Sequence, residues 1–176
     1  MKFISDIRLL LIGLWLGAAV FFVGVAQVAF AVLPQRELAG AVVNRTLSIL
    51  NFSGLGIAFL LLVMSMVAVK NANKVLLWTD RVLVIFIAIA CAVGQFVIGL
   101  MLASVRAQMG GRPIDELAAD DPLRIQFNNL HEYSVWVLMA AMIAAFIAFF
   151  VVANRKMGTS AKTTNDPYNF EKEFKI

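Results

Sequence analysis

Residues 9–33 read LLLIGLWLGAAVFFVGVAQVAFAVL, a run of 25 positions without a charged side chain. An α-helix rises 1.5 Å per residue, so about 20 apolar residues cover a hydrocarbon core of about 30 Å. This run can cross a bilayer, and so can three other uncharged runs at 46–69, 82–105 and 133–153. Lys2 and Arg8 ahead of the first run, with the small-x-small triplet Ala29-Phe30-Ala31, have the outline of a secretory signal. Signal h-regions hold only about 7–15 apolar residues, however, so the run is read as a retained helix. The predicted fold is all-α: an integral membrane four-helix bundle with spans at about 9–33, 46–69, 82–105 and 125–153. It occupies 1–153 as one unit, and 154–176 form a polar tail predicted to be disordered, where Asn154, Arg155 and Lys156 stop the helix.

Composition agrees. With 61% hydrophobic and 15% charged residues, 176 residues lack the polar surface to cover themselves in water. The net charge of +4 is a matter of topology rather than of nucleic-acid binding. Four crossings place Lys2, Arg8, Lys70, Lys74, Arg81, Arg155, Lys156, Lys162, Lys172 and Lys175 on one side of the membrane. Arg36, Arg45, Arg106, Arg112 and Arg124 fall on the other. Ten cations against five predict both termini in the cytoplasm, in a multi-pass protein of a bacterial inner membrane.

Between spans, Pro34 ends the first helix, and Leu38, Val42 and Val43 predict a short half-helix lying at the outer surface. The connection 70–81 is short and polar, with Trp78 as an interfacial anchor. The longest connection, 106–124, carries Gly110-Gly111 and two prolines and is read as a connector that could cover the outer mouth.

Inside lipid, helices associate through small residues and occasional polar contacts. Gly13, Gly17, Val20, Gly24 and Gln27 step by four, three, four and three residues, which places them on one face of the first span. Asn51 and Gly54 share such a track in the second span, as do Cys91, Gln95 and Gly99 in the third. Gly13, Gly17, Gly24, Gly54 and Gly99 are therefore expected at helix contacts. The fourth span opens with Asn128, His131 and Glu132, and His131 is the only histidine. Gln27, Asn51, Gln95, Asn128, His131 and Glu132 are the candidate lining of a polar pocket near the outer leaflet. Its occupant would be haem, a metal, a quinone or a small solute. A cap or bridge at the wet interface explains His131 and Glu132 as well.

One histidine, one cysteine and one adjacent glutamate do not supply a closed zinc site, and the metal is left unknown. Met64-Ser65-Met66 is a soft-ligand pair for copper, but it lies far along the chain from His131. No phosphate loop, HExxH, CxxC or GxSxG motif is present, so no enzyme class is indicated.

Three segments carry a family resemblance: Leu14-Trp15-Leu16-Gly17 with Phe21-Phe22, the run 32–40 around Pro34, Arg36 and Glu37, and Phe127-x-x-Leu130-His131-x-x-Ser134. Together they resemble the small four-helix membrane proteins called domain of unknown function 4149, similar to transmembrane protein 205. The likeness covers roughly the first 150 residues, and its most specific piece is the segment around His131. It implies an integral membrane protein without an assigned reaction. A more distant resemblance to copper-resistance D and haem-related bundles implies histidines on separate helices. This chain has no second histidine, and Asn51 stands where one would be expected. Two readings follow. The preferred one is a non-enzymatic accessory subunit or scaffold, meeting the lipid bilayer and other membrane subunits or further copies of itself. The other is a ligand-binding module around His131, with haem or copper as its cofactor.

Overall fold

The computed structural model describes residues 2–67, 74–110 and 112–157. Helix α1 runs Lys2–Val32, α2 Arg36–Val67 and α3 Lys74–Ala92. The third rod passes without a break through a π-helical turn, Val93–Ile98, into α4, Gly99–Gln108. Helix α5 runs Pro122–Met157. Four rods are therefore long and apolar enough to span a membrane. At 1.5 Å per residue they measure about 46–54 Å, so each exceeds a hydrocarbon core of about 30 Å and its ends reach the headgroups. Only 22–28% of the most apolar window of each rod is buried inside the protein, which leaves most apolar side chains facing outward, as lipid contact requires.

Neighbouring rods run antiparallel in the cyclic order α1, α2, α3–α4, α5, so α1 lies diagonally across from α3, and α2 from α5. Lys2 at the start of α1, Val67 at the end of α2, Lys74 at the start of α3 and Met157 at the end of α5 lie at one end of the bundle, called here the termini end; the other is the loop end. Alanines allow the close approach: Ala19, Ala58, Ala145 and Ala148 are almost wholly buried in the main core. Trp15, Gly54 and Cys91 meet in its middle layer. A Cβ added at Gly54 would stand 2.6 Å from Cys91 Sγ and 2.7 Å from Trp15 Nε1.

Several boundaries differ from the sequence reading. The expected surface half-helix is instead the first third of α2. Pro34 has no N–H and disfavours helix at the residue before it, which ends α1, but no breaker follows until well past Thr46. The Thr46 hydroxyl donates back to the Val42 carbonyl at 2.9 Å. Residues 74–81, read as loop, are helical. Helix α5 persists to Met157, four residues into the expected tail; the rest of that tail, 158–176, lies outside the described residues, as does Lys70.

The 109–121 connection is seated rather than loose. Gly110, at φ +62°, turns the chain out of α4, a left-handed conformation that a side chain would strain. Leu117 and Met109 pack with Ile98, Val105 and Leu130 in a second, smaller core. Arg124 donates to the Leu117 carbonyl at 2.7 Å, and Arg36 reaches Asp115 at 3.1 Å. Asp121 caps α5 by accepting the Leu123 N–H at 2.8 Å, with Pro122 at the first helical position.

Candidate functional site

The six polar candidates do not share one environment. Asn51 is 5% exposed, at the middle of α2, because that helix starts ten residues earlier than expected. Gln95 sits half-buried in the π-helical turn. Gln27, Asn128, His131 and Glu132 are exposed on the outside of the bundle. Glu132 accepts a hydrogen bond from Trp136 Nε1 at 3.4 Å, one helical turn along the same exposed face. Among the described residues no three His, Cys, Asp or Glu side chains come together in a geometry that could hold a metal ion.

The glycines divide similarly. Gly54 is locked between Trp15 and Cys91, and Gly13 faces the Phe149 ring, 3.4 Å from where its Cβ would stand. Gly99 meets only the Gly94 carbonyl of its own rod. Gly17 and Gly24 have open space where a Cβ would be, and with Val20 and Gln27 they form a seam facing away from the bundle. Gln27 lies five residues, about 8 Å, inside the end of α1.

The most strongly desolvated charges were not among the candidates. Arg8 on α1 is 2% exposed and Asp80 on α3 is 0% exposed, and an Arg8 Nη2 hydrogen is donated to Asp80 Oδ2 across the bundle's diagonal. Arg8 Nε and Nη1 are buried without a hydrogen-bond partner among the described residues. Beside the pair, Arg81 donates to the Ser65 hydroxyl at 2.8 Å and to the Ser65 carbonyl at 3.0 Å, tying α3 to α2. The signal was in the periodicity. Arg8 continues the buried stripe Ile12, Trp15, Ala19, Phe22, and Asp80 falls within Leu77, Val84, Ile87, Cys91, all at steps of three and four.

Among the described residues, two spaces bear on the candidates. A shallow groove of about 470 Å³ runs between α4 and α5 at the loop end, lined by Met101, Ile125, Leu130, Gln126, Asn129 and Tyr133. The other is a partly enclosed crevice of about 10 Å³ among α2, the third rod and α5, with Asn51, Cys91, Gly94 and the half-buried Ser134 on its wall.

A family model described as a domain of unknown function (DUF4149) matches residues 10–111, more than half of the chain. The chain belongs to the DUF4149 family. No curated protein and no solved structure matches it. The DUF4149 match runs from α1 through α4 and stops in the connection before α5. It therefore takes in Arg36, Asn51, Asp80, Cys91 and the π-helical turn, whereas the His131 segment, the most specific piece of the sequence resemblance, lies beyond it.

Proposed function

We propose that this DUF4149 protein is a non-enzymatic subunit or scaffold of a membrane complex, and that it docks through the outward seam of α1. The observation that carries this reading is the position of Gln27, an amide exposed on the bundle's outside about 8 Å within α1, in line with Gly17 and Gly24. At about 46 Å, α1 overreaches a core of about 30 Å by about 8 Å at each end, so Gln27 sits at the hydrocarbon boundary, where an unpartnered amide bears part of the roughly 4–8 kcal/mol that full transfer to hydrocarbon costs, and a partner reduces it. Glycines on the same seam allow the backbone of another transmembrane helix to come close, where it can meet the amide. The steps of four and three repeat every seven residues, the period of a left-handed crossing at about +20°.

The lopsided distribution of Lys and Arg supports an inner-membrane orientation with both termini in the cytoplasm. Cysteines placed at Gly110 and Ser160 in a Cys91→Ala background should then label from opposite faces; labelling from the same face would overturn the topology.

The docking face has its own test. A photo-crosslinking residue at Val20 or Gly24 in intact membranes should give a discrete protein adduct, whereas one at the exposed Phe59 or Ile143 should give lipid adducts only. Gln27→Leu together with Gly17→Leu should abolish the adduct while the protein still folds. Equal behaviour at Val20 and Phe59 would refute the docking reading. An adduct at twice the monomer mass identifies a second copy, and any other mass a different subunit.

A further inference from the structure

We infer that the partly enclosed cavity beside Asn51 is a built-in site for one water molecule, which hydrogen-bonds Asn51 of α2 to Ser134 of α5. The cavity offers about 10 Å³, at the lower limit of what a single water needs and far too little for a quinone, a haem or any larger solute. Its chemistry is that of a hydration site. The Asn51 side chain is 95% buried yet makes no hydrogen bond among the described residues, and neither does the Ser134 hydroxyl. An amide and a hydroxyl left unsatisfied on the same wall of a space this size are what an enclosed water repairs, since such waters make about three hydrogen bonds to otherwise unpaired groups.

The backbone around the cavity is shaped for it. Between Val93 and Ile98 the third rod is π-helical, and the Gly99 N–H bonds to the Gly94 carbonyl five residues back. A single π-turn widens a helix, and such turns recur at functional sites. Gly94 contributes by lacking a side chain: a Cβ there would stand 3.2 Å from Asn51 Nδ2 and press on the amide. The Cys91 thiol completes the polar part of the wall.

The position gives the water a role in holding the bundle together. Helices α2 and α5 are diagonal to each other, so they gain little from direct packing. The other diagonal, α1 to α3, is closed at the termini end by Arg8 and Asp80. A water between Asn51 and Ser134 closes the second diagonal, nearer the loop end.

A density map of the intact protein, sharp enough to show ordered waters, should contain a peak within about 2.7–3.2 Å of both the Asn51 amide and Ser134 Oγ. An empty cavity in a map that resolves waters elsewhere would overturn the inference. Unfolding rates in bicelles supply a second readout. If a water links the two side chains, losing either end breaks the bridge. Asn51→Leu and Ser134→Ala should then each speed unfolding, with the double variant slower than the product of the single effects by roughly threefold or more. A dry cavity predicts the opposite: Asn51→Leu removes an unsatisfied amide and slows unfolding, and the two effects multiply independently.

Discussion

Asp80→Ala should be the most damaging single substitution in the bundle. Asp80 is fully buried and Arg8 is 98% buried, so the truncation leaves a guanidinium inside the protein with its counter-charge gone. Two Arg8 nitrogens already lack hydrogen-bond partners among the described residues, and the loss of Asp80 removes the acceptor that holds the third. Removing one partner of a buried ion pair costs about 3–5 kcal/mol, or roughly 10²–10⁴-fold in the folding equilibrium. The reciprocal variant Arg8→Ala should also destabilise, because it removes the guanidinium whose hydrogen Asp80 Oδ2 accepts and leaves a gap in the buried stripe of α1. The joint replacement Arg8→Met with Asp80→Leu should behave differently. With both charges gone and the space still filled, stability should return to the original value or exceed it, as buried pairs exchanged for apolar residues often show. Reversible unfolding of the four proteins in bicelles forms a double-mutant cycle, and the coupling should rival the single-variant losses in size. Two results would refute the reasoning: Asp80→Ala within about 0.5 kcal/mol of the parent protein, or a double variant that loses the sum of both single costs. Either would mean that water reaches the pair at the termini end.

The tightly packed and the open glycines should respond in opposite directions. Gly54→Ala puts a Cβ 2.6 Å from Cys91 Sγ and should destabilise by about 1–3 kcal/mol, whereas Gly56→Ala, with nothing within 4 Å, should be neutral or stabilise by up to about 1 kcal/mol, both read by unfolding in bicelles. Trp15→Phe deletes the donor that reaches the Leu50 carbonyl at 3.2 Å and should cost about 0.5–1.5 kcal/mol, accompanied by loss of a protected indole signal in hydrogen exchange. Gly110→Ala should cost about 1–2 kcal/mol, since the position is held at φ +62°. Asp115→Asn should change stability by less than about 1 kcal/mol, because the Arg36–Asp115 pair is exposed, and any effect should vanish at high salt.

The number and approximate placement of the membrane-crossing helices were legible because length and the absence of charge are one-dimensional properties, and the bilayer acts on both. Which face of each helix turns inward was not. In a water-soluble bundle a polar face marks the outside, but a helix that is apolar all round offers no such contrast. Helix α1 shows the difficulty most clearly. It carries two seams with the same four-three spacing: Ile12, Trp15, Ala19 and Phe22 on one, and Gly13, Gly17, Val20, Gly24 and Gln27 on the other. The glycine seam looked like the packing face because small residues favour close helix contact, yet the bulky seam faces the core. There the space is made by the partner helices, with Gly54 opposite Trp15 and with alanines on α5. The charged residues held the information needed to choose. An arginine and an aspartate at the edge of a hydrophobic stretch read as solvated flanks when each is considered alone. Extended by the helical period, however, the Trp15 seam meets Arg8 and the Cys91 seam takes in Asp80, so that two buried stripes carry opposite charges at the same end of the bundle. That complementarity selects the Trp15 seam as the interior of α1. It leaves the Gly17–Gln27 part of the glycine seam turned to the outside, where a further helix can pack, while Gly13 at its other end meets Phe149 of α5.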